Sequence, residues 1–126
     1  VLRLGFPVVG VTDLDRAIAF WAAALDLTPS AEWANAGWRT LTGPDGARVL
    51  GLMRSDSPPE PRPRVHLDLL VDTAAEQTAE VDRLVALGAT VPDWDGYPAE
   101  PDFVVLADPE GNVFCVVDLG RAPSSG

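Results

Sequence analysis

Lysine is missing from this chain of 126 residues; all nine basic residues are arginine. Without that amine there is no Schiff-base nucleophile and no Walker-type phosphate loop. Cysteine occurs once, at Cys115, so no internal disulfide can form, and a reducing cytoplasm is the expected compartment. Histidine also occurs once, at His66. No apolar run approaches the roughly 18–20 residues that cross a bilayer, and the first residues do not read as a positive-then-apolar signal. Positive charge is scarce: 9 basic residues face 19 acidic ones, a formal charge of −10. Nucleic-acid binding needs a basic stripe and an anionic membrane needs a basic patch, so neither partner is expected. What remains is 47% hydrophobic and 22% charged, the balance of one soluble globular domain.

The chain repeats itself. Leu41-Thr42-Gly43-Pro44-Asp45-Gly46 and Leu106-Ala107-Asp108-Pro109-Glu110-Gly111 are turn sequences 65 positions apart (106 − 41). In each, proline presets φ and the following glycine tolerates the left-handed geometry that returns the chain to a strand. Strand-like runs flank both turns: Trp38 to Leu41 and Arg48 to Met53, then Phe103 to Leu106 and Val113 to Val117. Upstream, the apolar run from Phe6 to Val11 precedes Thr12-Asp13-Leu14-Asp15. The run from His66 to Val71 precedes Thr73-Ala74-Ala75-Glu76. A threonine with an acid three residues later is a capping-box signature, so each run should lead into a helix. Leu14, Ile18, Trp21 and Leu25 form one apolar stripe at helical spacing; Thr78, Val81, Leu84, Val85 and Gly88 form the other. The least regular strands are expected around Glu32–Trp33 and Thr90–Trp94.

Each half therefore reads strand, helix, strand, strand, strand. The expectation is an α+β fold of two βαβββ modules, about 1–54 and 65–126, forming one pseudo-symmetric domain over 1–126. Residues 55–64 carry four prolines and form a stiff connector. A module of about 60 residues is too small to bury a secure core alone, so the two should pack together.

Val11-Thr12-Asp13-Leu14-Asp15-Arg16-Ala17 followed by Phe20-Trp21, then His66-Leu67-Asp68-Leu69, then Leu106-Ala107-Asp108-Pro109-Glu110-Gly111-Asn112-Val113-Phe114-Cys115 resemble, in this order and spacing, the vicinal oxygen chelate superfamily. This is the group of glyoxalase I, bleomycin-resistance proteins and extradiol dioxygenases, and the match is to its glyoxalase-like branch. The resemblance implies a U-shaped cavity sheet between the modules and a homodimer. It also implies metal ligands at four strand positions, which here are Phe6, Leu50, His66 and Cys115. Phe6 and Leu50 have no donor atom, and Cys115 stands where a glutamate is usual. A divalent ion normally needs three or more protein ligands, so no metal cofactor is expected, although His66 and Cys115 could contribute to one.

Strand alternation places His66, Asp68 and Leu70 on one face and the apolar Leu67, Leu69 and Val71 on the other. The second face should pack on a helix, leaving His66 and Asp68 towards the cavity. A carboxylate beside an imidazole raises its pKa and orients the ring, as acid–base catalysis requires; the alternative is a structural histidine beside a solvated aspartate. Cys115 shares its face with Val113 and Val117. It is either a small apolar core residue or a thiol paired with His66. Trp21 belongs to the helix stripe. Trp33, Trp38 and Trp94 lie near the irregular strands, where their rings suit flat, apolar or cationic ligands. Tyr97 sits in an acidic, proline-rich loop that either closes on a ligand or merely connects. Asp108-Pro109-Glu110-Gly111-Asn112 is read as a turn, because a calcium loop needs more oxygen ligands in a set order.

Two functions follow. One is a small-molecule binding protein like the bleomycin-resistance branch, holding an apolar or aromatic ligand, with cationic ligands favoured by the acidic charge. Its ligand set is Phe6, Trp33, Trp38, Leu50, Trp94, Tyr97 and Cys115. The other is a glyoxalase-like lyase, isomerase or dioxygenase using His66 with Asp68, and Cys115 as a further participant.

Overall fold

The computed structural model describes residues 1–121; the last five positions assigned above to the second half lie outside the described residues. The chain divides into two compact units, Val1–Pro58 and Pro59–Gly126, so the boundary falls within the proline-rich connector. No helix or strand forms between Ser55 and His66. No helix among the described residues is long and apolar enough to cross a membrane.

The first unit contains β1 (Val8–Val11), α1 (Leu14–Leu25), β2 (Thr28–Pro29), β3 (Trp38–Thr42) and β4 (Arg48–Arg54). Its sheet order is β1-β4-β3-β2, with β1 parallel to β4 and the other pairs antiparallel. The second unit contains β5 (Leu67–Val71), α2 (Ala74–Leu87), β6 (Phe103–Ala107) and β7 (Val113–Asp118). Its sheet order is β5-β7-β6, with β5 parallel to β7 and β6 antiparallel to β7. The mixed α+β architecture and the repeated strand–helix–hairpin order are those expected from the sequence.

Three local features differ. The strand expected around Glu32–Trp33 lies instead at Thr28–Pro29, because Trp33 turns out of extended geometry with φ 58°. The strand expected over Thr90–Trp94 shrinks to one bridge, Thr90 with Ala107. Pro92 follows at once, and it has no N–H to donate to a ladder. At α1 the cap is Asp13 rather than Thr12: its carboxylate accepts the Arg16 N–H at 3.1 Å. At α2 the box forms as expected on one side, with the Thr73 hydroxyl accepting the Glu76 N–H at 3.1 Å. Glu76 reaches back one residue further, to the Asp72 N–H at 3.3 Å. Each cap satisfies helix donors that have no partner within the helix.

Helix α1 packs on β3 and β4 and buries Ala17, Phe20, Trp21 and Ala24. The facing strand residues are Leu41, Leu50 and Leu52, none more than 1% exposed. Burying each such large side chain stabilises the fold by about 1.5–3 kcal/mol. Helix α2 packs on β7 and β5 and buries Leu84 and Gln77. The Gln77 amide donates to the Val116 carbonyl at 3.0 Å and the Asp102 carbonyl at 3.1 Å. A polar side chain thus sits in this interface because both its donors are used.

The two hairpins are not identical. In the second, Leu106 faces Phe114 in an unbroken register. In the first, the register slips between Leu41 and Thr42, so Leu41 faces Leu50. The bulge adds one residue to the first hairpin. A one-residue slip exchanges the two faces of a strand. A constant spacing of 65 pairs Cys115 with Leu50, whereas the sheets pair it with Gly51: Asp68 lies opposite Cys115, and Val8 lies opposite Gly51. Leu50 is accordingly a helix-facing core residue at 1% exposure and does not reach the other face.

Gly51 has to be glycine on packing grounds. A Cβ there would lie 2.9 Å from both the Phe6 and Trp38 rings. Gly51→Ala should destabilise the chain by about 1–3 kcal/mol in urea unfolding. Gly5→Ala, with nothing within 4 Å, should change stability by less than about 0.5 kcal/mol.

Candidate functional site

The side chains that carry chemistry gather on the face of the second sheet opposite α2. Parallel pairing sets Asp68 of β5 directly beside Cys115 of β7. His66 precedes the same strand by one residue, and its Nε2 lies 3.1 Å from Asp68 Oδ1. One donor atom from each of His66, Asp68 and Cys115 lies within 4.8 Å of the others. Exposure falls along the trio: the Asp68 side chain is 50% exposed, that of His66 29%, and Cys115 as a residue 4%.

Below this polar end the face is apolar. Phe103 and Val105 of β6 form a buried cluster with Cys115, and Trp94, Val113 and Val117 pack against it. Tyr97 stacks on Phe103, ring centroids 5.3 Å apart, and its hydroxyl oxygen accepts the Val105 N–H at 2.7 Å. The loop carrying Trp94 and Tyr97 is thereby fastened to the outer edge of β6. Arg62 holds it from the connector, 5.1 Å from the Trp94 ring and 2.6 Å from Asp95. Trp94 Nε1 is buried without a hydrogen-bond partner among the described residues, a state that costs about 1–3 kcal/mol.

Burial, and then the Asp68 carboxylate, push the Cys115 thiol up from 9.0 to about 11. The thiol is therefore protonated at neutral pH, which is opposite to the low-pKa nucleophile that pairing with His66 would require. The His66–Asp68 pair is the one the strand alternation predicts.

The first unit lacks this chemistry. Phe6 and Trp38 come together over Gly51, ring centroids 6.4 Å apart, with Val8 beside them. The Trp38 Nε1–H donates to Thr40 Oγ1 at 3.0 Å. The positions where the resemblance implies metal ligands thus hold Phe6 and Gly51 in this unit. Neither offers a donor, and the rings fill the space above the glycine. A four-position metal set does not fit this chain.

The remaining candidates separate. Trp33 lies outside both sheets and is 59% exposed, with Arg48 stacked 4.1 Å from its ring centroid. Trp21 is a core residue at 1% exposure, edge-on to Phe20. Asp108 is committed to its turn, where Oδ1 accepts the Glu110 N–H at 2.9 Å and the Asn112 N–H at 2.8 Å. Phe103, Val105 and Arg62 belong to the site but were not among the residues singled out from sequence. The alternation of Phe103 and Val105 along β6 is the signal that could have found the first two.

A model of the glyoxalase-like domain matches residues 7–117. No curated protein sequence matches this chain. Several solved structures share its fold. A glyoxalase/bleomycin resistance protein/dioxygenase family enzyme from Burkholderia phytofirmans PsJN superposes with TM-score 0.69 at 19% identity, covering 91% of this chain and 97% of that one. Protein ATC0852 from Agrobacterium tumefaciens gives TM-score 0.72 at 18% identity, covering 94% and 98%. A variant of the fosfomycin resistance protein FosX from Listeria monocytogenes, complexed with Mn(II) and dihydroxypropylphosphonic acid, gives TM-score 0.69 at 19% identity, covering 93% and 90%.

The thiol yields a pH prediction. Alkylation of native Cys115 by iodoacetamide should accelerate about tenfold per pH unit until near pH 11, and Asp68→Asn should shift that curve to lower pH. The folded chain holds this proton more tightly than the unfolded one. Its contribution to stability is therefore present below about pH 9 and lost as pH rises towards about 11, as alkaline unfolding would show.

Proposed function

This chain belongs to the glyoxalase-like domain family, and from that footing we propose that it is a small-molecule binding protein that works without the family's four-position metal set. The observation that carries this reading is the buried sheet-face cluster of Phe103, Val105 and Cys115, with the loop residue Trp94 packed against it and His66 and Asp68 at one end. An apolar surface with a few convergent polar groups is the usual make-up of a small-ligand site. The ligand is an apolar or aromatic molecule, with a cationic group favoured. Asp68 offers a half-exposed carboxylate for that group, Trp94 an apolar wall beside it, and the formal charge of −10 speeds the encounter. The reading includes a cytoplasmic location, with which a buried free cysteine agrees, and a homodimer, which sedimentation would test.

The 3.1 Å contact between His66 and Asp68 favours a second reading, a glyoxalase-like lyase, isomerase or dioxygenase in which His66 moves a proton. A calorimetric screen of cationic aromatic compounds and glycopeptides separates the two. Binding without turnover, weakened roughly tenfold or more by Trp94→Ala, supports the binding protein. No heat with any compound counts against it. Turnover that falls roughly 100-fold in His66→Ala establishes the enzyme instead.

A further inference from the structure

We infer that His66, Asp68 and Cys115 form a three-donor site for a thiophilic divalent cation of the zinc class, contained wholly within the second unit. The donors are one nitrogen, one oxygen and one sulfur, and they come from the start of β5 and the middle of β7. The site shares two positions with the set the resemblance implies. It differs in composition, because Asp68 is an added ligand and a thiol replaces a carboxylate.

Geometry supports it first. Around tetrahedral zinc, bonds of about 2.0–2.3 Å put neighbouring ligand atoms about 3.3–3.7 Å apart. The three donor atoms here lie within 4.8 Å of one another, and His66 Nε2 and Asp68 Oδ1 are already 3.1 Å apart. Bringing all three onto one ion requires the widest separation, at most 4.8 Å, to shorten to about 3.7 Å, a change on the scale of side-chain rotation. The backbone is held because Asp68 and Cys115 face each other in a parallel ladder. Three protein ligands leave a fourth position open on the side where His66 and Asp68 meet solvent.

Charge supports it second. Asp68 as a carboxylate and Cys115 as a thiolate, paired across the ladder, would place two like charges together over an apolar floor. A divalent cation cancels both charges and leaves the trio neutral. Donor type then selects the metal: a thiolate with an imidazole favours zinc-class ions over magnesium, calcium or manganese, which prefer oxygen. The site shares Asp68 with the proposed ligand face, so small-molecule binding is measured on metal-stripped protein, where its failure is distinguishable from failure of the metal site.

The test is titration of the full, metal-stripped chain with Co2+, followed by Zn2+. One equivalent of Co2+ should produce the visible bands of a four-coordinate ion and a near-ultraviolet thiolate-to-cobalt band, and Zn2+ should bleach both. Cys115→Ser should abolish the thiolate band. Asp68→Asn should weaken Co2+ binding by at least roughly tenfold, the loss that even an outer partner of a metal site causes. Zn2+ should also slow alkylation of Cys115 in the unmutated chain, a readout that needs no variant to fold. Absence of a thiolate band with millimolar Co2+, a band that persists in Cys115→Ser, or alkylation unaffected by Zn2+ would each overturn the site.

Discussion

The parallel pairing of the first strand with the last, β1 with β4 and β5 with β7, governs the rest of this structure. Parallel neighbours need a crossover, and here a helix provides it. The helix covers one face of its own sheet, which leaves the opposite face for the candidate site's side chains. In the second unit that pairing sets Asp68 beside Cys115 and aligns His66 with them. Without it Cys115 would stay 47 positions of chain away from Asp68 (115 − 68).

The same pairing has opposite results in the two units. In the second, the ladder carries a carboxylate and a thiol over Phe103 and Val105. In the first, it carries Val8 and Gly51, and the missing side chain admits Phe6 and Trp38. The repeat therefore does not duplicate a site. One half keeps polar chemistry and the other is closed by aromatic packing.

Much of the fold was readable because its signals are local. Pro44 with Gly46 and Pro109 with Gly111 mark the turns, Thr73 and Glu76 mark a helix start, and the run from Leu67 to Val71 shows period-two alternation. His66 and Asp68 were legible for the same reason, being two apart on one strand. Leu50 was misplaced because spacing along a chain does not reveal a bulge, and one extra residue turns a floor position into a core position. Trp33 was misplaced because its left-handed backbone takes it off the sheet and onto Arg48. Phe103 and Val105 were passed over as ordinary strand residues, and only their register against Cys115 makes them part of a site.

By itself the sequence determined the class of this protein: two similar halves, α+β, acidic, with no lysine chemistry and one histidine and one cysteine to account for. Those conclusions rest on composition and on interactions within a few residues. Tertiary structure decided where the single histidine and the single cysteine lie relative to each other. Their proximity comes from a ladder between distant strands, and the thiol's retained proton comes from burial and from the charge of Asp68 across that ladder. Neither quantity exists until the strands have paired.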